Sequence, residues 1–378
     1  MADPLRIHPV SGSGELKTFI RVPFALYRDD PQWVPPLTLE RMETLTDKNP
    51  YFRHGEAKYW IAFRGREAIG RVSAQVDSLV HETIDGKLGH IGLLECADDL
   101  EAAERLLQTA EAWLKGKGMT RAQGPFNLSV NEECGVLVKG FDTPPMIMMG
   151  HARPYYQRLY EKAGYRKAKD LYAYGLDITR GFSDKVMRFV EMGKRNPAIE
   201  IRDIDMKNYD RELAAFFSIF NDAWSGNWGF VPFAEAEARH AAKNMKMLIA
   251  PHRVRICHFH GEPAAFMVTL PDLNGCIKDF GGKLFPLNIF RLLWRLKTAY
   301  PERVRVPLMG VRKHLQGTLG GACMVFLLIE TIREQVAARG GKFAELSWIL
   351  EDNMPMRKIL EEIGCVIYKT YRIYEKAI

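Results

Sequence analysis

Apolar side chains recur along this chain with two periods, and stretches of the two alternate. From Lys58 to Asp77, the run Tyr59-Trp60-Ile61-Ala62-Phe63, the polar turn Arg64-Gly65-Arg66-Glu67 and the run Ala68 to Val76 predict a β-hairpin. His90 to Cys96 reads as a third strand. Between Asp98 and Gly118, Leu106, Leu107, Ala110, Trp113 and Leu114 fall on one side of a helix. Arg121 to Phe126 predicts a short strand, Pro154 to Gly164 a helix, and Tyr165 to Asp177 an aromatic strand. The order then returns. Arg253 to Phe259, the turn His260-Gly261-Glu262-Pro263 and Ala264 to Leu270 predict a second hairpin. Val304 to Val311 is a β-branched run, Ala322 to Ala338 an apolar helix stopped by Gly340-Gly341, Ala344 to Leu350 a strand, and a short helix ends at Gly364. Residues 1–58 form an N-terminal segment broken by prolines, with one short helix expected from Leu37 to Leu45.

The two halves also agree residue by residue near their ends. Leu159-Tyr160-Glu161-Lys162-Ala163-Gly164-Tyr165 corresponds to Ile359-Leu360-Glu361-Glu362-Ile363-Gly364-Cys365, 200 positions on. Lys169 then matches Lys369, and Tyr174 matches Tyr374. This is the signature of a tandem duplication. The expected division is an N-terminal segment 1–58, a first domain 59–180 and a second domain 197–378, with a polar boundary over Arg180 to Pro197.

The halves differ where their long helices begin. The first starts at Ala97-Asp98-Asp99-Leu100-Glu101. Acidic residues cap a helix N-terminus well and would repel a phosphate there. The second follows Gln316-Gly317-Thr318-Leu319-Gly320-Gly321. Small residues before a helix let backbone N–H groups close on an anion; on the turn alone, a tight connection with a glycine at positive φ is the better explanation. The order of the pieces is more specific. Gly310-Val311, Gln316-Gly317, Gly321, a helix, a strand ending in Asp352-Asn353 and a helix ending in Gly364 resemble the GNAT superfamily of acyl-CoA N-acyltransferases. That resemblance implies an α/β (α+β) fold of tandem GNAT-like domains, each a mixed, mostly antiparallel sheet flanked by helices. It further implies acyl-CoA as co-substrate on the second half, with no permanently bound cofactor, and a cofactor set of Gly310, Val311, Gln316, Gly317, Gly320, Gly321 and Asn353. Leu319 departs from the pattern where a middle glycine belongs, and Leu360 where a tyrosine often stands; Tyr160 holds the latter position in the first half.

Gly124 to Gly135 places Asn127, Ser129, Asn131 and Glu133 at a spacing of two. An extended chain would line these polar groups along one face; a solvated strand face gives the same pattern. Together with Tyr155-Tyr156, Glu345 to Asn353 and Tyr368 to Lys376, this block resembles the bacterial ceramide synthase group, which joins a long-chain acyl group to the amine of a sphingoid base. The resemblance implies a lipid amine as acceptor, with Asn127, Ser129, Asn131 and Tyr156 on the substrate side. Amine attack on a thioester needs a proton acceptor, for which Glu133 comes first and Glu345 second. It also needs a backbone N–H near Gly310-Val311 at the carbonyl, and Tyr371 or Tyr160 to return a proton to the thiolate. Two alternatives stay open: a tandem aminoacyl transferase of the FemABX kind, and a non-catalytic acyl-CoA or lipid-binding module.

Other chemistries find little support. Six cysteines without a CxxC read as free thiols, and the N-terminus lacks a signal-peptide core, so a cytoplasmic protein is expected. A net charge of +7 favours an anionic partner, but no zinc finger or RNP-type motif points to nucleic acid. His258 and His260 would share a strand face without further metal ligands, so no metal is expected. No Gly-x-Ser-x-Gly elbow supports Ser129, Ser347 or Cys134 as a nucleophile, and no Nudix box occurs. Finally, Leu284 to Tyr300 predicts an amphipathic helix. Asn288, Arg291, Arg295 and Thr298 form its polar stripe, and Phe285, Leu287, Phe290, Leu293 and Trp294 stand among its apolar positions. A core helix fits this pattern; the expectation here is peripheral contact with the inner membrane surface, or an acyl-chain entrance. The segment is too short to span a bilayer.

Overall fold

A computed structural model describes residues 3–245, 250–298 and 301–378. In chain order the elements begin with β1 (Leu5–Pro9), α1 (Gly12–Leu26), α2 (Thr38–Thr44), β2 (Gly55–Arg64), β3 (Glu67–Asp77), α3 (Ser78–Thr83), β4 (Leu88–Cys96), α4 (Leu100–Gly116), β5 (Arg121–Gly124), β6 (Val136–Lys139), α5 (Tyr156–Lys162) and β7 (Arg166–Asp177). They continue with α6 (Asp184–Arg195), β8 (Ile199–Asp203), α7 (Tyr209–Trp224), α8 (Glu235–Met245), β9 (Val254–Phe259), β10 (Glu262–Pro271), α9 (Leu273–Ile277), α10 (Asn288–Thr298), β11 (Arg303–Val311), α11 (Leu319–Ala338), β12 (Phe343–Leu350), α12 (Met354–Glu362) and β13 (Val366–Ala377).

The chain forms two compact units. Unit 1 comprises Met1–Leu171, Asn274–Leu292 and Lys369–Ile378, and unit 2 comprises Tyr172–Leu273 and Leu293–Tyr368. In unit 1 the strands run in the order β1-β2-β3-β4-β5-β13, with β6 also on β13. All neighbours are antiparallel except β4 and β5. In unit 2 the order is β12-β11-β10-β9-β8, and the parallel pair is β11 and β12. Each unit therefore repeats hairpin, third strand, long helix and parallel strand.

The helices follow from the apolar pattern. Asp99 accepts the Ala102 N–H and caps α4, which buries Leu106, Leu107, Ala110 and Leu114. In unit 2, α11 carries its apolar residues almost all round, and Met324, Val325, Phe326, Leu327, Leu328, Ile329, Ile332 and Val336 are buried. Such a helix suits an interior position. It packs on one face of the sheet through Val304, Val306, Ala344 and Leu346, and against Val186 and Val190 of α6. Gly193 lets α6 approach closely, since a Cβ there would lie 3.2 Å from Cys323 O.

The segment expected over Leu284 to Tyr300 is helical from Asn288 to Thr298; Tyr300 lies outside the described residues. It is not a core helix. Phe285, Leu287, Phe290 and Trp294 are 59%, 70%, 68% and 66% exposed, and Leu292 is the buried residue that anchors it. No described helix is long and apolar enough to cross a membrane.

Candidate active site

In unit 2 the parallel pair β11/β12 pairs from Arg303↔Phe343 to Val306↔Leu346. Beyond that point both strands continue, but among the described residues no ladder joins them. Pro307 has no N–H to offer a neighbour. The β10/β11 register shifts between Val268 and Leu270, which marks a bulge opposite the same point. Before the bulge Val304 and Val306 face the α11 core; after it, Met309 and Val311 do. Alternation then sends Arg305, Glu345, Ser347 and Gly310 to the opposite face. Gly310 is covered there by Trp224, whose Cζ3 lies 2.4 Å from where a Cβ would be.

A buried polar chain occupies this face at the point where the strands part. Arg305 donates from Nε to Ser347 Oγ (3.0 Å) and from Nη2 to Ser347 O (3.0 Å), with Nε 3.7 Å from Glu345 Oε1. The Ser347 and Tyr368 hydroxyls both donate to Glu345. Arg305, Glu345 and Ser347 are buried, whereas Tyr368 is half-buried. Burial and the adjacent Glu345 carboxylate hold the Tyr368 hydroxyl well above its ordinary pKa. The arrangement leads from a half-buried tyrosine to an enclosed carboxylate.

The Gly-rich turn follows β11 directly. Gln316 Nε2 donates to Val311 O (2.8 Å) and fastens the turn to the strand. Gly317 has φ +73°, a backbone conformation that favours glycine. Thr318 caps α11 by accepting the Gly321 N–H (3.0 Å), and Gly321 must be glycine because a Cβ would fall 2.0 Å from Leu315 O. The N–H groups of Leu319 and Gly320 have no carbonyl inside the helix to reach. The Leu319 side chain is 60% exposed, so this departure from the glycine pattern points to solvent and leaves the turn unobstructed.

Unit 1 has the same parallel pair with a different outcome. β4 and β5 pair from Leu88↔Arg121 to His90↔Gln123, so His90 and Gln123 sit where unit 2 pairs Arg305 with Glu345. Past that point the chain fills the gap itself. Phe126 N–H donates to Ile91 O (2.8 Å) and Leu93 N–H to Asn127 Oδ1 (2.9 Å), and a Cβ on Gly92 would lie 1.9 Å from Phe126 O. Cys96 N–H donates to the Tyr156 hydroxyl (2.9 Å). At the start of α4, Arg64 binds Asp99 (2.6 Å) and Glu101 (2.8 Å).

Next to that plug lies a network of half-buried charge. Glu133 contacts Arg41 Nη2 and accepts from Asn127 Nδ2 (3.0 Å). Burial disfavours its ionised form, but Arg41 outweighs burial and holds the carboxyl below the usual carboxylate range. Burial pushes neighbouring Glu132 up to about 8, although Asn49 donates to it (3.2 Å). Burial also raises Glu95, which accepts from the Tyr27 and Tyr156 hydroxyls (2.7 Å each).

The expected site residues thus fall into separate groups. Glu133, Asn127, Ser129, Asn131, Tyr156, Tyr160 and Tyr371 belong to unit 1; Glu345, Gly310, Val311, Gln316, Gly317, Gly320, Gly321 and Asn353 belong to unit 2. Asn127 to Glu133 is a closed loop rather than an extended face. Leu128 takes φ +87°, Phe126 bridges Cys134, and Asn127 N–H bonds Glu133 O, so residues six apart meet. Within it, Ser129 Oγ accepts the Asn131 N–H (3.2 Å). Tyr160 is buried and stacked on Tyr374 (4.9 Å), Tyr371 is buried, and Asn353 caps α12 by accepting the Met356 N–H. His258 and His260 do not share a face, because His260 lies in the turn with φ +51°. Sequence reasoning missed Arg305 and Tyr368. A charged residue inside Val304-Arg305-Val306 was the available signal, since a buried charge must find a partner.

No protein-family model matches the sequence. The bacterial ceramide synthase of Caulobacter vibrioides is 43% identical over 376 residues, covering 99% of this chain and 98% of the relative. The chain belongs to the bacterial ceramide synthase family. Protein YghO of Escherichia coli is 41% identical, covering 96% of this chain and 93% of its own length. Among solved structures, a tandem GNAT protein from the clavulanic acid biosynthesis pathway matches with TM-score 0.59 and 13% identity, over 99% of this chain and 98% of its own. A GCN5-related N-acetyltransferase from Sphaerobacter thermophilus matches with TM-score 0.55 and 12% identity, over 99% and 95%. The fold of this ceramide synthase family member is tandem GNAT, and the protein is an N-acyltransferase.

Proposed function

We propose that the protein transfers a long-chain acyl group from acyl-CoA to the amine of a sphingoid base, giving a ceramide-type amide. The observation that carries this reading is the parting of β11 from β12, flanked by the Gly-rich turn and the Arg305–Ser347–Glu345–Tyr368 chain. The turn suits a pyrophosphate, and β11 near Gly310-Val311 suits the thioester. One acyl-CoA binds per chain, because the corresponding gap in unit 1 is filled by Phe126, Asn127 and Tyr156. The sphingoid base as acceptor rests on the name of the Caulobacter relative.

The chemistry needs a neutral amine. Its nitrogen attacks the thioester carbon, the carbonyl oxygen gains charge beside a β11 N–H, and the C–S bond breaks. The new C–N bond leaves nitrogen with an excess proton. Tyr368 takes that proton while passing its own to Glu345, and the departing thiolate recovers a proton from this pair. Glu133 is the weaker candidate for the acceptor, because Arg41 and Asn127 already hold its carboxylate. The test is to mix the protein with dodecanoyl-CoA and a sphingoid base and follow free CoA and the amide. Amide formed in step with CoA is expected; CoA release unaffected by the amine would refute amine acylation.

The protein also contacts the membrane surface through residues 284–298. Exposed Phe285, Leu287, Phe290, Leu293 and Trp294 stand beside Arg291, Arg295 and Lys297, a combination suited to an anionic interface. Phe290→Asp with Trp294→Asp is expected to lower co-sedimentation with anionic vesicles at least ~10-fold, since each removes an exposed anchor and adds repulsive charge. Both side chains are exposed, so the melting temperature should hold. Equal sedimentation of both proteins would sink the assignment.

A further inference from the structure

We infer that the aromatic face of α7 and the loop after it is the binding site for the hydrocarbon tail of the acyl donor. This rests on the proposed acyl-CoA site in unit 2 and names where its chain goes.

Phe216, Phe217, Phe220, Trp224, Phe230 and Phe233 form one connected cluster, with ring centroids 4.8–6.5 Å apart for the pairs along it. Phe266 of β10 joins it, 4.2 Å from Phe216 and 6.0 Å from Trp224. The cluster is only partly buried. Of these residues Phe220 and Phe266 are buried, while Phe216, Phe217, Trp224, Phe230 and Phe233 are half-buried. α7 buries Glu212, Ile219 and Phe220 over 16 residues, whereas α11 buries 11 of 20. Seven aromatic rings in one patch, five of them incompletely buried, suit the lining of an apolar ligand site.

Continuity with the donor site identifies the occupant. Trp224 lies on Gly310, and only a residue without a Cβ leaves room for it. Gly310 belongs to the part of β11 that has left β12. The same end of α7 is tied to the approach to the Gly-rich turn: Asp222 accepts the Lys313 N–H (2.8 Å), and Arg312 donates to Ser218 (3.1 Å). A donor with its pyrophosphate at the turn and its thioester along β11 therefore meets Trp224 first on this face. An acyl chain continuing from the thioester runs onto the phenylalanines.

The experiment compares the binding of CoA, butanoyl-CoA and dodecanoyl-CoA by calorimetry. For the wild type, dodecanoyl-CoA should bind on the order of 100-fold more tightly than butanoyl-CoA, as expected if about half of the eight extra methylenes are buried. Trp224→Ala and Phe230→Glu should each reduce that ratio at least ~10-fold and leave CoA itself unchanged. Phe230 is only half-buried, so its variant keeps the test valid if Trp224→Ala unfolds. A ratio preserved in the folded variants overturns the proposal, as does a chain-length effect seen only when the amine's chain is varied. Failure of CoA itself to bind wild type overturns the donor-site reading, and the proposal with it.

Discussion

Gly320→Glu is expected to abolish acyl-CoA binding, at least ~100-fold, without lowering the melting temperature. The choice of position follows from what a side chain would meet. At Gly321 a Cβ would lie 2.0 Å from Leu315 O, so any substitution breaks the turn and its effect on binding says nothing about charge. At Gly320 the nearest atoms are Phe259 Cζ and Cε2, 3.7 and 3.8 Å away, an ordinary contact. A glutamate in the first turn of α11 also suits the helix, whose N-terminus favours negative charge. The same charge opposes a pyrophosphate directly, and the loss of even two charge-assisted hydrogen bonds, at about 1.5–3 kcal/mol each, exceeds 100-fold. Calorimetry with CoA and a thermal melt measure the two halves of the prediction. Wild-type affinity in a folded Gly320→Glu protein would move the donor site away from the turn.

Much of the architecture was legible because it rests on periodicity. The two hairpins, the long helices and the repeated order follow from apolar spacing alone. The helix of residues 288–298 shows the limit of that signal. Its pattern fits a core helix as well as an interfacial one, and the exposure of Phe290 and Trp294 excludes the core. The site was less legible, for two physical reasons. A spacing of two means a shared face only in extended chain, and Leu128 at φ +87° curls that stretch so that Asn127 meets Glu133 instead. Buried charge also appears in sequence as an isolated residue whose partners are remote. Arg305 meets Ser347, and Glu345 meets Tyr368, only once two parallel strands and the start of β13 are brought together.

Those partners decide how the proton acceptor must be tested. Glu345→Gln is a poor probe, because it leaves Arg305 buried without its carboxylate, a change that typically costs about 3–5 kcal/mol. Tyr368→Phe is cleaner. It removes one hydroxyl, keeps the ring beside Phe343 (centroids 5.5 Å apart), and leaves the Arg305–Ser347–Glu345 contacts in place. If Tyr368 carries the amine proton to Glu345, kcat should fall about 100-fold, the scale of a lost acid–base group. The KM for acyl-CoA and the melting temperature should stay near wild type. The variant's rate should also climb more steeply with pH, as hydroxide replaces the missing relay. Glu133→Gln should behave in the opposite way. It removes one of the two carboxylates that Arg41 contacts, leaving the more exposed Glu40 (3.3 Å), so the melting temperature should drop while kcat in the folded protein changes little. Normal turnover by Tyr368→Phe, together with a 100-fold loss in a stable Glu133→Gln protein, would transfer the proton to Glu133 and leave Glu345 as the structural partner of a buried arginine.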